Sequence, residues 1–358
     1  MKQRNRTPRS INAKQIANRH RQQHHQRQAQ LAPLVDQPPV LKRGTVRAAA
    51  RPEAGAARRD DLAGAERSVA HRPTRRERIE VDAVHAHRVL RDIRVDVDRR
   101  HLVAMAVGDF ACLENTTDNI PIRICATPDK KELGAIALES ARAVLQFYNR
   151  YYAVAYPFGK LDVLAVPDFA AGAMENTAAI FARETDLLAS SAAASVGTRK
   201  NIASLLAHEM AHQWFGNLVT MAWWDDIWLN EGFASWIEDK ITAELHPEFN
   251  SSVGEVKSAQ RVMGHDSLLT TRAIRQPVRS MDSLLQSADT LAYSKGAAVL
   301  HMIERWIGPD AFRAGVHTYL KTHEDANATA ADLWSALSKA SGKDVASALS
   351  SFLDRPGV

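Results

Sequence analysis

The sequence predicts an α+β domain of two lobes, a mixed β-sheet lobe followed by a helical lobe, preceded by a disordered basic segment. Three observations predict it. Segments with strand period cluster between residues 102 and 184 and segments with helix period follow from 199 onward, the pattern of segregated layers. All 23 Phe, Trp and Tyr of the 358 residues lie after residue 100. The formal net charge of +5 divides as well: residues 1–100 carry 24 basic and 11 acidic side chains, a local +13, whereas residues 101–358 carry 22 and 30, a local −8. A hundred residues with 21 arginines and no aromatic ring cannot bury enough apolar surface to offset the entropy of ordering the chain.

Residues 1–100, with HRQQHHQRQAQ from His20 to Gln30, read either as a solvated extension or as a stretch translated out of frame from GC-rich DNA. A basic tail attracts nucleic acid by counterion release, but no aromatic is interleaved for base stacking, so nucleic acid is disfavoured as a partner. LVAMAVGDF (102–110) and IPIRICA (120–126) alternate as strands. KKELGAIALESARAVLQFYNRYY (130–152) places Leu133, Ile136, Leu145, Tyr148 and Tyr152 on one helical stripe. LDVLAVPDF (161–169) reads as a buried strand, AGAMEN (171–176) as a turn and TAAIFARE (177–184) as a further strand. Helices are expected at 199–215, 228–245 (stopped by Pro247), 290–307 (stopped by Gly308 and Pro309), 310–323 and 330–341. No run of 18 apolar residues exists to span a membrane, and the basic start lacks the apolar run of a secretory signal, so a cytoplasmic protein without a membrane partner is expected. Cys112 and Cys125 have no metal-type spacing and read as buried free thiols, in keeping with a reducing compartment.

The sharpest local feature is His208-Glu209-Met210-Ala211-His212. Residues four apart share one helix face, so His208 and His212 project side by side and can chelate one ion. Glu209 is turned about 100° away, where it can reach a water on the metal without being a ligand. The helix itself is supported by the periodic Ile202, Leu205, Leu206 and Met210, with Gly216 beyond its end. Zinc hydrolases use three protein ligands and leave a fourth position open, and Glu231, on the next expected helix, is the candidate third ligand. Asn230 and Asp226 are candidate partners for the outer nitrogens of the histidines.

The run HEMAHQWFGNLVTMAWWDDIWLNEGFASW (208–236), with GAMEN at 172–176 and Tyr293 in LAYSKGAAVL, resembles the gluzincin aminopeptidases of the aminopeptidase N type. The resemblance runs from about residue 101 to 358. It implies a thermolysin-like two-lobed metallopeptidase domain over 117–358, shortened at its C-terminal end relative to the family, with 101–116 the remnant of an N-terminal β saddle domain. It implies one Zn2+ per chain on His208, His212 and Glu231, with Glu209 as general base. Glu175 would hold the free α-amine of a peptide substrate, with Gly172, Ala173, Met174 and Asn176 along the edge where that peptide lies. Tyr293 would donate a hydrogen bond to the oxyanion. The function so implied is zinc-dependent hydrolysis of the N-terminal peptide bond. A catalytically silent family member that keeps the zinc site, and a nucleic-acid-binding tail, are the alternatives; the oligomeric state is left open.

Overall fold

Residues 106–357 are described by the structure, a computed structural model, so the readings of residues 1–105 lie outside the described residues. The first described elements are an antiparallel hairpin, β1 (Ala111–Thr117) and β2 (Ile120–Ala126). Asp118 (φ 51°) and Asn119 (φ 63°) form its two-residue turn, and paired left-handed residues suit the right-handed twist of a hairpin. This turn corrects the strand expected at 102–110 over its described part, residues 106–110. The partner of IPIRICA must immediately precede the turn, so it is Ala111–Thr117, and residues 106–110 carry no strand.

The register also corrects the reading of the cysteines. Cys112 lies directly opposite Cys125, with Cα atoms 4.1 Å apart, and the two form a disulfide. Pairing across a ladder depends on where the turn falls, which spacing alone did not reveal, and the thiol-based argument for a reducing compartment falls with it. Cys112→Ser is expected to cost about 2–3 kcal/mol of stability, the loop-closure value for a link of this span, read by denaturant titration.

A 3-10 turn, Pro128–Gly134, takes the place of the first residues expected to be helical, and α1 (Ala135–Tyr152) follows. Next come β3 (Leu161–Val166), β4 (Ala173–Met174) and β5 (Ala179–Arg183). The sheet order is β1-β2-β3-β5-β4; β3 runs parallel to β2 and to β5, and β4 pairs antiparallel with β5. Part of the segment read as a turn, AGAMEN, is therefore a short edge strand.

Thereafter the chain is helical: α2 (Glu184–Leu187), α3 (Val196–Ala211), α4 (Ile227–Leu245), α5 (Ser251–Asp266), α6 (Met281–Ser287), α7 (Gly296–Ile307), α8 (Pro309–Thr322), α9 (Ala330–Ser341) and α10 (Val345–Leu353). Short strands β6 (Val219–Met221) and β7 (Ala326–Ala328) pair in parallel. The sequence reading missed α2, α5, α6 and α10, and the short strands β6 and β7. In α5 the cause is visible: it is polar, contains two glycines and leaves Val253, Val256 and Met263 exposed, so no buried stripe marks it. Among the described residues no helix is long and apolar enough to cross a membrane.

One hydrophobic core joins sheet and helices. Ile122, Ile124, Val163 and Ile180 of the sheet meet Leu145, Tyr148 and Tyr152 of α1, and continue to Leu206 and Met210 of α3 and Trp228, Phe233 and Trp236 of α4. Helix α3 is held from several sides: the Tyr148 hydroxyl donates to the Ala207 carbonyl, and just beyond the helix the Trp214 indole N–H donates to the Val154 carbonyl at 3.0 Å. Its start is capped by Ser195, whose hydroxyl accepts from the Thr198 amide at 3.0 Å. A helix fixed in this way is a rigid base for side chains that must hold their geometry.

Candidate metal centre and active site

His208 projects from α3, and His212 stands one residue past its last turn. Glu231 lies on α4, which packs against α3. One carboxylate oxygen of Glu231, Oε2, is 3.3 Å from His208 Nε2 and 3.6 Å from His212 Nε2. Donor atoms of the three residues all lie within 4.8 Å of one another. The remaining ring nitrogens are engaged from behind. His212 Nδ1–H donates to Asn230 Oδ1 at 3.0 Å, with the Phe215 carbonyl at 3.2 Å, and His208 Nδ1 meets Glu238 Oε2 at 3.3 Å. Such outer partners fix ring orientation and leave both Nε2 atoms facing the Glu231 carboxylate. Two imidazole nitrogens and one carboxylate oxygen converging on one point suit a borderline metal such as zinc.

Of the two candidates for the outer contact, Asn230 makes it and Asp226 does not. The Asp226 carboxylate accepts from Arg275 Nε at 2.7 Å and from the Ala330 amide at 3.1 Å, tying together chain segments away from the histidines. Glu238 was missed by the sequence reading, although a signal existed: it follows Glu231 by two helical turns on the same helix, hence on the same face.

The carboxylates outweigh burial at both histidines. Burial disfavours the His208 imidazolium, yet the hydrogen bonds it donates to Glu231 and Glu238 hold its pKa well above the usual range. Burial likewise opposes charge on His212, and the Glu175 and Glu231 carboxylates bring it to about 9. Glu231 is pulled well below the carboxylate range by the two imidazoles, against burial. Metal ligation requires neutral imidazoles, so a metal ion held by these residues would displace protons, and its affinity is expected to rise with pH. Calorimetry in buffers of differing ionisation enthalpy checks this; proton release near zero would contradict the charge assignment.

Glu209 is 8% exposed, and burial pushes its carboxyl up to about 7, with both histidines offsetting part of the effect. Acceptor atoms of Glu175, Glu209 and His212 form a second group within 4.8 Å. Tyr293 sits on a π-helical turn, Leu291–Lys295, with its ring parallel to that of His208 at 5.8 Å between centroids. Burial, then the Glu231 charge, raise its phenol far above the ordinary value, so the hydroxyl keeps its proton. The helix expected at 290–307 is thus two structures, and the wide turn carries the tyrosine, a common setting for functional side chains.

Glycines allow these elements to approach. A Cβ on Gly232 would lie 2.9 Å from both the Ala292 carbonyl oxygen and Gly296 Cα, so α4 and the tyrosine-bearing segment cross in backbone contact beside Glu231. Gly216 has φ +126°, and a Cβ there would fall 2.5 Å from the Asn230 Oδ1 that orients His212.

Of the GAMEN segment, Ala173 and Met174 form β4, Glu175 is half-buried beside the histidines, and Gly172 is exposed. Asn176 is buried, its carbonyl accepting from the Ala179 amide at 3.0 Å. The structure therefore brings together Glu175, Glu209, His208, His212, Glu231 and Tyr293 from four separate elements.

The peptidase family M1 domain matches residues 136–352. The chain belongs to peptidase family M1. Aminopeptidase 2 of Candida albicans is 42% identical over 246 residues, covering 68% of this chain and 27% of that protein. The alanine/arginine aminopeptidase of Saccharomyces cerevisiae is 40% identical over 258 residues, 72% of this chain and 30% of that protein. The leucyl aminopeptidase of Saccharolobus solfataricus is 39% identical over 259 residues, with shares of 72% and 33%. This M1 chain thus spans about a third or less of the length of the curated relatives it matches.

Proposed function

We propose that residues 117–358 form a thermolysin-like two-lobed catalytic domain that hydrolyses the N-terminal peptide bond of peptides. The carrying observation is the position of Glu175, whose carboxylate lies within 4.8 Å of the Glu209 and His212 donor atoms. An extended residue spans only about 3.5 Å, so a substrate ammonium paired with Glu175 leaves room for a single residue before the reacting carbonyl. The relatives' names point to the same activity.

His208, His212 and Glu231 would hold one zinc ion, which supplies Lewis acidity toward the reacting carbonyl and acidifies water there. Glu209, already biased by burial toward the neutral acid, is suited to accept a proton from water and pass it to the leaving amine. The Tyr293 hydroxyl, held protonated, donates to the negative charge developing on the carbonyl oxygen. The two-residue strand β4 lies at the sheet edge, where the backbone of an extended peptide adds as a further strand.

The test is turnover of aminoacyl chromogenic amides by the purified chain, compared with their N-acetylated counterparts. The expected result is cleavage of the free-amine compounds alone, lost with chelator and restored by zinc. A zinc-loaded chain that cleaves neither compound, or both equally, overturns the proposal.

A further inference from the structure

Glu175 is held by amides. The Asn217 Nδ2 donates to its backbone carbonyl at 2.9 Å, and the Gln213 Nε2 to the same oxygen at 3.4 Å. The Asn230 Nδ2 donates to its carboxylate Oε1 at 3.3 Å. The first two amides grip the chain just beyond as well: the Ala178 amide donates to Gln213 Oε1 at 2.9 Å, and the Thr177 hydroxyl to Asn217 Oδ1 at 3.0 Å. All three side chains are buried, Gln213 at 0%, Asn217 at 1% and Asn230 at 5% exposure. Gln213 follows His212 directly, Asn217 stands four residues after Gln213, and Asn230 directly precedes Glu231. Among the described residues Glu175 forms no salt bridge with a lysine or arginine.

Burying three amides on one loop is costly unless each is satisfied, and these are satisfied by that loop and by each other's neighbours. Their neutrality has a consequence. An arginine or lysine in their place would hold Glu175 as firmly but would cancel the charge needed to bind an ammonium. We propose that Gln213, Asn217 and Asn230 are positioning residues that fix the Glu175 carboxylate at one-residue distance from the metal ligands without neutralising it. They set the register of the substrate amine relative to the reacting bond. The inference rests on the aminopeptidase reading, since it concerns how its amine anchor is held.

The test compares two inhibitors of the full chain: a dipeptide phosphonate with a free α-amine, and its des-amino counterpart. The ratio of their inhibition constants measures the amine contact alone. Gln213→Met and Asn217→Leu remove the amide donors at similar size and leave the backbone bond from the Asn217 amide to the His212 carbonyl in place; the Gln213 exchange also removes a weak contact to the Glu209 carbonyl at 3.4 Å. Each is expected to shrink the ratio about tenfold, leaving inhibition by the des-amino compound and zinc content unchanged. Equal weakening of both inhibitors, or an unchanged ratio, overturns the proposal and leaves these amides with a purely structural role. If one variant loses zinc or fails to fold, the other, approaching the same carbonyl from a separate position in the chain, decides. Absence of any amine preference in the unmodified chain instead overturns the amine-anchor reading itself, so the two failures are distinct.

Discussion

Glu209→Gln is expected to lower kcat about a thousandfold while the chain still binds one zinc, because Glu209 lies outside the three-donor group and positioned general bases contribute on this scale. Glutamine matches glutamate in shape, and burial at this position already favours a neutral side chain. The variant therefore folds, and the loss reports the proton transfer. The pH dependence has a definite sign. A base acts only when deprotonated, so activity rises with pH through the Glu209 pKa, which is about 7 in the ion-free site and lower beside a bound cation. A folded-state pKa raised above its unfolded value means that ionising this carboxyl opposes folding as pH climbs toward 7. Without bound metal, the glutamine variant should consequently gain stability relative to the parent as pH rises from 4.5 to about 7, and keep that gain above it. Metal analysis, pH-rate profiles and denaturant titration check the three statements; zinc loss in Glu209→Gln, or undiminished turnover, would refute the assigned role.

Gly232→Ala is expected to cost about 1–3 kcal/mol of stability, the usual penalty for overpacking. It should also lower kcat about a hundredfold, since misplacing reacting groups by about 1 Å has effects of that size. The added methyl meets backbone on two sides, the Ala292 carbonyl and Gly296 Cα, and neither can swing away as a side chain would. Relief requires α4 and the π-helical segment to separate, which moves Glu231 and Tyr293 apart together. Gly254→Ala on α5 is the matched control. Its Cβ would meet only the end of Lys200 at 3.7 Å, and the exchange should be neutral or stabilising by up to about 1 kcal/mol. Thermal denaturation and steady-state kinetics on the pair separate a packing effect at the site from a general cost of altering helix glycines.

Much of the candidate site was legible because its elements repeat at helical spacing. His208 and His212 are four apart on a helix, and Glu231 stands on the next one; both helices lie close to where the apolar pattern put them. The roles of Glu175 and Tyr293 came only through the resemblance. Nothing in their local sequence separates an anchor from a turn residue, or an oxyanion donor from a core tyrosine. Glu238, Gln213 and Asn217 escaped notice because a glutamate or amide on a helix or turn is ordinary until its partner is known.

The sequence by itself determined the family, the helix that carries His208 with the next helix that carries Glu231, and the succession of a strand-rich part by a helical part. These rest on period, composition and short motifs, which are properties of neighbours along the chain. Only the tertiary structure decided the Cys112–Cys125 disulfide, the π turn under Tyr293, the backbone crossing at Gly232 and Gly296, and the choice of Asn230 over Asp226 behind His212. Each depends on register or approach between segments distant in sequence. A one-residue slip of the hairpin would part the cysteines, and a helix displaced by one methyl group would move Glu231 away from the histidines.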